Sequence, residues 1–148
     1  RMYASDAAWH ALDKLNQAYA QAMEENDLSR AEEIFRQTRA LEAAEKLAAD
    51  GIDVEVIDPR TIAPLDKDTI FSSIRKTHRA AVVEESNKTA GIGAELAAMF
   101  QEELYDELDG PVARIAALDV PMPYNIAMEH YSIPDVNRIC ASIRAMMD

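Results

Sequence analysis

With a single cysteine, Cys140, in 148 residues, the chain has no internal disulfide open to it, which points to a reducing compartment. No apolar run is long enough to cross a bilayer or to form the hydrophobic part of a signal peptide. Basic residues are scarce: 15 Lys and Arg face 27 Asp and Glu, for a formal net charge of -12. The deficit is shared, with 6 basic and 10 acidic residues ahead of Gly51 and 9 and 17 from it onward. Neither part hides a cationic domain. Nucleic acid and anionic membranes both need a basic face, so neither is expected as a partner. The chain opens on Arg1 in place of methionine, as a processed, truncated or engineered chain would. Its length accommodates one ordinary domain, or a small domain with a helical appendage, but not two enzymatic domains.

Glycine and proline are absent from residues 5–50, where alanine, leucine, glutamate and glutamine dominate. That composition is helical. Ser5 or Asp6 can cap a first helix whose apolar face is Trp9, Leu12, Leu15, Ala18, Tyr19, Ala22 and Met23. Asn26-Asp27 marks a turn, and a second helix follows with Ala31, Ile34, Phe35, Leu41, Ala44 and Leu47 on one stripe, ending at Gly51. The expectation is an antiparallel helical hairpin. Its pattern faintly resembles a tetratricopeptide unit, but the register is stretched and no second copy follows. A plain amphipathic hairpin is the preferred interpretation.

Beyond Gly51 the period changes. Val54, Val56 and Ile57 predict a short strand stopped by Asp58-Pro59. Asp66 or Asp68 caps a helix over residues 69–77, and Ala80-Ala81-Val82-Val83 reads as a buried parallel strand ending at Glu84-Glu85. A helix is predicted over residues 94–108, a strand over 112–117, a proline-rich loop over 120–124 and a closing helix over 134–147. Strands alternating with helices predict a three-layer α/β domain on a mostly parallel sheet with right-handed crossovers.

Several residues invite a chemical role. Glu84 and Glu85 stand at the carboxyl end of a predicted strand, where acid-base or metal chemistry is often found; a strand-end charge and a local cap are the structural alternative, which we favour. Gly91-Ile92-Gly93 ahead of a helix could cradle an anion. It lacks a dinucleotide fingerprint, however, and Glu95 would repel a phosphate, so a tight turn with close helix packing is preferred. His10, His78 and His130 pair with nothing at metal-ligand spacing, and Cys140 sits on an apolar helix side as an inert thiol. Pro121-Met122-Pro123-Tyr124, with Met128 and Tyr131, is either a partner-binding loop or a rigid connector.

Five ordered strings carry a family resemblance: Ile57-Asp58-Pro59-Arg60-Thr61-Ile62-Ala63-Pro64-Leu65-Asp66, Val82-Val83-Glu84-Glu85, Gly91-Ile92-Gly93-Ala94-Glu95, Pro111-Val112-Ala113-Arg114-Ile115 and Asp119-Val120-Pro121-Met122-Pro123-Tyr124. From about Ala40 to the end, the chain resembles the C-terminal, transketolase-type domain of 2-oxoacid dehydrogenase E1 beta subunits. The resemblance implies a domain at residues 40–148 behind a helical hairpin at 1–39, which stands where the family has its first strand. It implies no catalytic, cofactor or metal residues here, thiamine diphosphate and Mg being bound elsewhere in the family. It further implies an E1 alpha subunit and an E2 acyltransferase core as partners. A homo-oligomer is expected because the missing first strand leaves an edge to be paired and the hairpin has an apolar face; the expected location is cytoplasmic, or the mitochondrial matrix for a eukaryotic parent. Asp109 and Asp148 are candidate contacts for an arginine-bearing partner, with Pro121, Met122, Pro123, Tyr124 and Tyr131 beside them. The expected function is non-catalytic association and docking. A fragment of an active dehydrogenase that needs partner chains, and an engineered chimera, are the alternatives.

Overall fold

The computed structural model describes residues 17, 18, 20–25 and 28–148, with backbone only for residues 28–37 and 126. The first arm of the expected hairpin and its Asn26-Asp27 turn lie largely outside those residues. Two compact units divide between Asp58 and Pro59.

In the first unit, residues 20–24 are helical and α1 spans Leu28–Ala49. Thr38, Ala43 and Leu47 are buried on it. The helix stops as its sequence foretells. Gly51 adopts φ 82°, its N–H reaches Ala48 O at 3.0 Å, and the Ile52 N–H reaches Leu47 O at 2.9 Å. This paired closure of the last carbonyls needs a left-handed residue, a role that glycine fills without Cβ strain. The predicted strand at residues 54–57 does not form: no ladder includes it among the described residues. A β-branched run supplies propensity, but a strand exists only through a neighbour's hydrogen bonds.

The second unit runs α2 (Lys67–Thr77), β1 (Ala81–Asn87), α3 (Ile92–Glu103), a 3-10 turn (Tyr105–Glu107), β2 (Ala113–Ala117), α4 (Ile126–Ser132) and α5 (Val136–Met147). Among the described residues β1 and β2 form a parallel two-stranded sheet, with Ala81 opposite Ala113 and Val83 opposite Ile115. The register shifts between Val83 and Asn87. Helix α3 packs on both strands and α5 packs on β2.

The starts of α2 and α5 have local causes. The Asp66 carboxylate accepts from the Thr69 hydroxyl at 2.7 Å and the Thr69 N–H at 3.1 Å. These two bonds, the hydroxyl first, hold its pKa below the ordinary 3.8. Asp135 caps α5 through the Arg138 N–H at 2.7 Å. Apolar side chains at helical spacing, Ile70, Phe71 and Ile74 on α2 and Leu96 and Phe100 on α3, are buried. Phe71 meets Phe100 edge to face at 6.3 Å between centroids, a geometry worth about 0.5–1.5 kcal/mol beyond area burial.

Two further expectations are corrected here. The helix predicted over residues 94–108 starts earlier, at Ile92, and ends at Glu103, where Leu104 turns in to be buried and a 3-10 turn follows. Behind the prolines of the 120–124 loop lies an unforeseen helix, α4, whose cap Asn125 accepts from the Ala127 N–H at 3.0 Å and the Met128 N–H at 3.3 Å. Among the described residues no helix is long and apolar enough to cross a membrane.

Candidate functional site

Glu84, on β1, is the buried acid of the second unit, its side chain only 6% exposed. The strand carries it to the amino end of α3, where the Gly93 N–H donates to Oε2 at 3.1 Å and the Ser86 hydroxyl donates to the same oxygen. A helix amino terminus favours negative charge. The approach requires glycine twice: a Cβ at Gly91 would stand 2.5 Å from Asn87 O and 2.6 Å from Glu84 Oε2, and one at Gly93 would collide with Oε1 and sit 3.1 Å from Cδ. Arg114 Nη2 on β2 lies 3.9 Å from Glu84 Oε1. Glu84 Oε1 and Arg114 Nε have no hydrogen-bond partner among the described residues. One amide at this helix end, that of Gly93, is therefore taken by the chain's own carboxylate.

At the carboxyl end of β2, a cleft of about 330 Å³ is lined by Lys88, Arg114, Asp119, Arg138 and Ser142. Its cations are largely engaged by carbonyls. Arg138 Nη2 donates to Ala116 O at 2.9 Å, and Arg114 Nη2 donates to Lys88 O. Asp119 accepts from the Thr89 N–H at 3.0 Å and the Thr89 hydroxyl at 2.7 Å, and these bonds, the backbone one foremost, hold its pKa below 3.8. The result is a strand end stapled to its neighbours by side-chain hydrogen bonds.

The residues singled out for partner contacts fall into two places. Asp109 lines a second cleft with Gln101, Tyr105, Leu108 and Pro111, and its N–H donates to His78 O at 2.9 Å. Next to His78, Arg79 donates through Nη1 to Met146 O and lies 4.0 Å from where a Gly110 Cβ would be. His78 and Arg79 thus bring Asp109 close to the end of α5, where Asp148 is exposed. The second place is the loop and α4. Pro121, Met122 and Tyr124 are exposed, Pro123 is half-buried, and Met128 and Tyr131 continue the exposed row, Tyr131 at 78%. Sequence reasoning missed Tyr105, which is 70% exposed beside Asp109, because it fell inside a predicted helix. It also missed Arg79 and Arg138, since nothing local marks an arginine that ties distant carbonyls.

A family model described as "Transketolase, C-terminal domain" matches residues 37–139. The pyruvate dehydrogenase E1 component subunit beta of Porphyra purpurea is 45% identical over 107 residues, covering 72% of this chain and 32% of the relative. Subunit beta-1, mitochondrial, of Arabidopsis thaliana is 50% identical over 107 residues, or 72% of this chain and 30% of the relative. The Rhizobium meliloti (strain 1021) subunit beta is 41% identical over 109 residues, or 74% and 24%. The chain spans about a third or less of these curated relatives.

Proposed function

The chain belongs to the transketolase C-terminal domain family, and from that premise we propose that it is a non-catalytic association and docking domain of the 2-oxoacid dehydrogenase E1 beta type. What carries the proposal is the exposed row Met122, Tyr124, Met128 and Tyr131 on a loop and short helix. Tyrosine and methionine at high exposure are enriched where proteins meet partners and are costly to leave in water elsewhere. Asp109 and the exposed Asp148 offer carboxylates to an arginine-bearing partner. In this proposal thiamine diphosphate and Mg belong to other chains, and the domain works in a cytoplasm or mitochondrial matrix among E1 alpha and E2 components.

Light scattering over a tenfold dilution tests the proposal, comparing the native chain with a Tyr124→Ser, Tyr131→Ser double variant. The native chain should be a stable oligomer, and the variant should dissociate at higher concentration with an unchanged circular dichroism spectrum. A native chain that is monomeric throughout would overturn the association role. The identity to E1 beta subunits favours one second reading, a fragment of an active dehydrogenase. It predicts turnover of a 2-oxoacid on mixing with an alpha subunit and a beta amino-terminal domain, and no turnover in that mixture refutes it.

A further inference from the structure

Parallel strands are ordinarily covered on both faces, and a two-stranded sheet is marginal by itself. β1 is covered on one face. Val82 and Glu84 both approach Gly93 of α3, while on the opposite face Ala81 is exposed and Val83 is 42% exposed. One edge of β1 is laddered to β2, and among the described residues no strand is laddered to the other edge. A main-chain edge and a β-branched face are open together, the condition under which an edge strand recruits another.

The chain also carries a complement to that edge. Val54, Val56 and Ile57 form its other β-branched run, within a stretch at residues 52–58 that contains no helix or turn and joins no ladder among the described residues. The stretch is as long as β1, which spans seven residues. Val54 and Val56 are two apart and so share a face of any strand they form, leaving Asp53 and Glu55 on the other.

We infer that two copies of this chain exchange these segments, residues 52–58 of each adding as a strand to the edge of the other copy's β1 that faces away from β2. This deepens the association role proposed above by naming a second surface and its occupant. Each copy gives and receives one segment, so the contact is two-fold and closes as a dimer instead of growing into a fibre. Val54 and Val56 come to lie beside Val83, covering the open face. Each copy carries a net charge of -12, so added salt should tighten the dimer by screening repulsion.

Mixing two single variants, Val56→Cys and Val83→Cys, under mild oxidation tests the exchange. The expected result is a disulfide-linked dimer in the mixture that neither variant forms alone. Self-linking of Val83→Cys as strong as that of the mixture would mean that β1 pairs with β1, and would overturn the exchange, as would no cross-link in any sample. Val83→Lys provides a test that needs no cysteine: with circular dichroism intact it should weaken self-association about tenfold or more, and unchanged association would refute the inference. Repeating the cysteine mixture in the Tyr124→Ser, Tyr131→Ser background separates the surfaces. A mixed disulfide retained there supports strand exchange whatever becomes of the loop, and its loss there shows that the exchange has no independent existence.

Discussion

Replacing Gly93 by alanine is the sharpest test of how the second unit is built. In most helices Gly→Ala gains stability, about 0.5–1 kcal/mol. Here the added methyl would collide with Glu84 Oε1 and stand 3.1 Å from its Cδ and 3.3 Å from Val82 Cγ1. Glu84 is 94% buried by side chain, since 6% remains exposed. Either the helix shifts off the sheet, an overpacking cost of about 1–3 kcal/mol, or the carboxylate loses the Gly93 N–H at 3.1 Å, a charge-assisted bond worth roughly 1.5–3 kcal/mol. With a helix propensity gain of about 0.5 kcal/mol subtracted, the net loss is about 0.5–2.5 kcal/mol. At about 2–4 °C per kcal/mol for a chain of this size, Tm should fall by roughly 1–10 °C. Urea unfolding followed by circular dichroism measures the loss at constant temperature, and Gly51→Ala is the contrast. Nothing lies within 4 Å of a Cβ at Gly51, so any cost there comes from its φ of 82° alone. A Gly93→Ala chain as stable as the native one would refute the assignment of Glu84 as a fixed plug in the helix end.

Further outcomes follow from the same geometry. Asp66 and Asp119 are both held below 3.8 in the folded state by their bonds to Thr69 and Thr89. Their stabilisation is therefore complete above that value and fades as pH falls through the lower folded values. Asp66→Asn with Asp119→Asn should flatten the acid limb of a Tm-against-pH curve, and an unchanged limb would exclude both as contributors. Arg138→Ala should cost about 1–3 kcal/mol in urea unfolding, because it frees the buried Ala116 carbonyl that Nη2 reaches at 2.9 Å; a loss below about 0.5 kcal/mol would show that water replaces the guanidinium. Ala90 holds φ 59°, where a Cβ costs about 1–2 kcal/mol. Ala90→Gly should therefore be neutral or stabilising by up to about 1 kcal/mol, and a clear loss of thermal stability would contradict that.

Local signals were legible where the physical cause was local. Asp66 was one of two caps read for α2, Gly51 was named as the end of α1, and Cys140 was placed on an apolar helix side; the structure buries it. Long-range causes left no local trace. The β1 run was expected to end at Glu84-Glu85, yet it continues to Asn87. A buried carboxylate is tolerable there only because a helix amino terminus 9 residues later in sequence meets it. The short helix α4 was hidden by composition, since Pro121 and Pro123 precede it and Pro134 follows, and only Asn125 signalled a start. The candidate contact residues show the same division. Exposure of Tyr124 and Tyr131 could be guessed from a proline-rich loop, whereas the approach of Asp109 to the end of α5 depends on Arg79 reaching Met146 O across 67 positions of sequence.

The unladdered run at residues 54–57 is where sequence and structure disagree most usefully. Val54, Val56 and Ile57 carry strand propensity at full strength, and β1 carries a strand edge and a half-exposed Val83 with nothing laddered beyond it among the described residues. Propensity without a partner and an edge without a strand are two halves of one defect, and a chain that keeps both must satisfy them outside its own sheet or remain prone to association. Concentration decides between these outcomes. Because exchange is bimolecular, the dimer fraction and the apparent Tm should rise together with protein concentration, by mass action on the folded state. A Tm independent of concentration over a tenfold range would mean that the edge stays unpaired at no cost, and would remove the physical reason for the exchange.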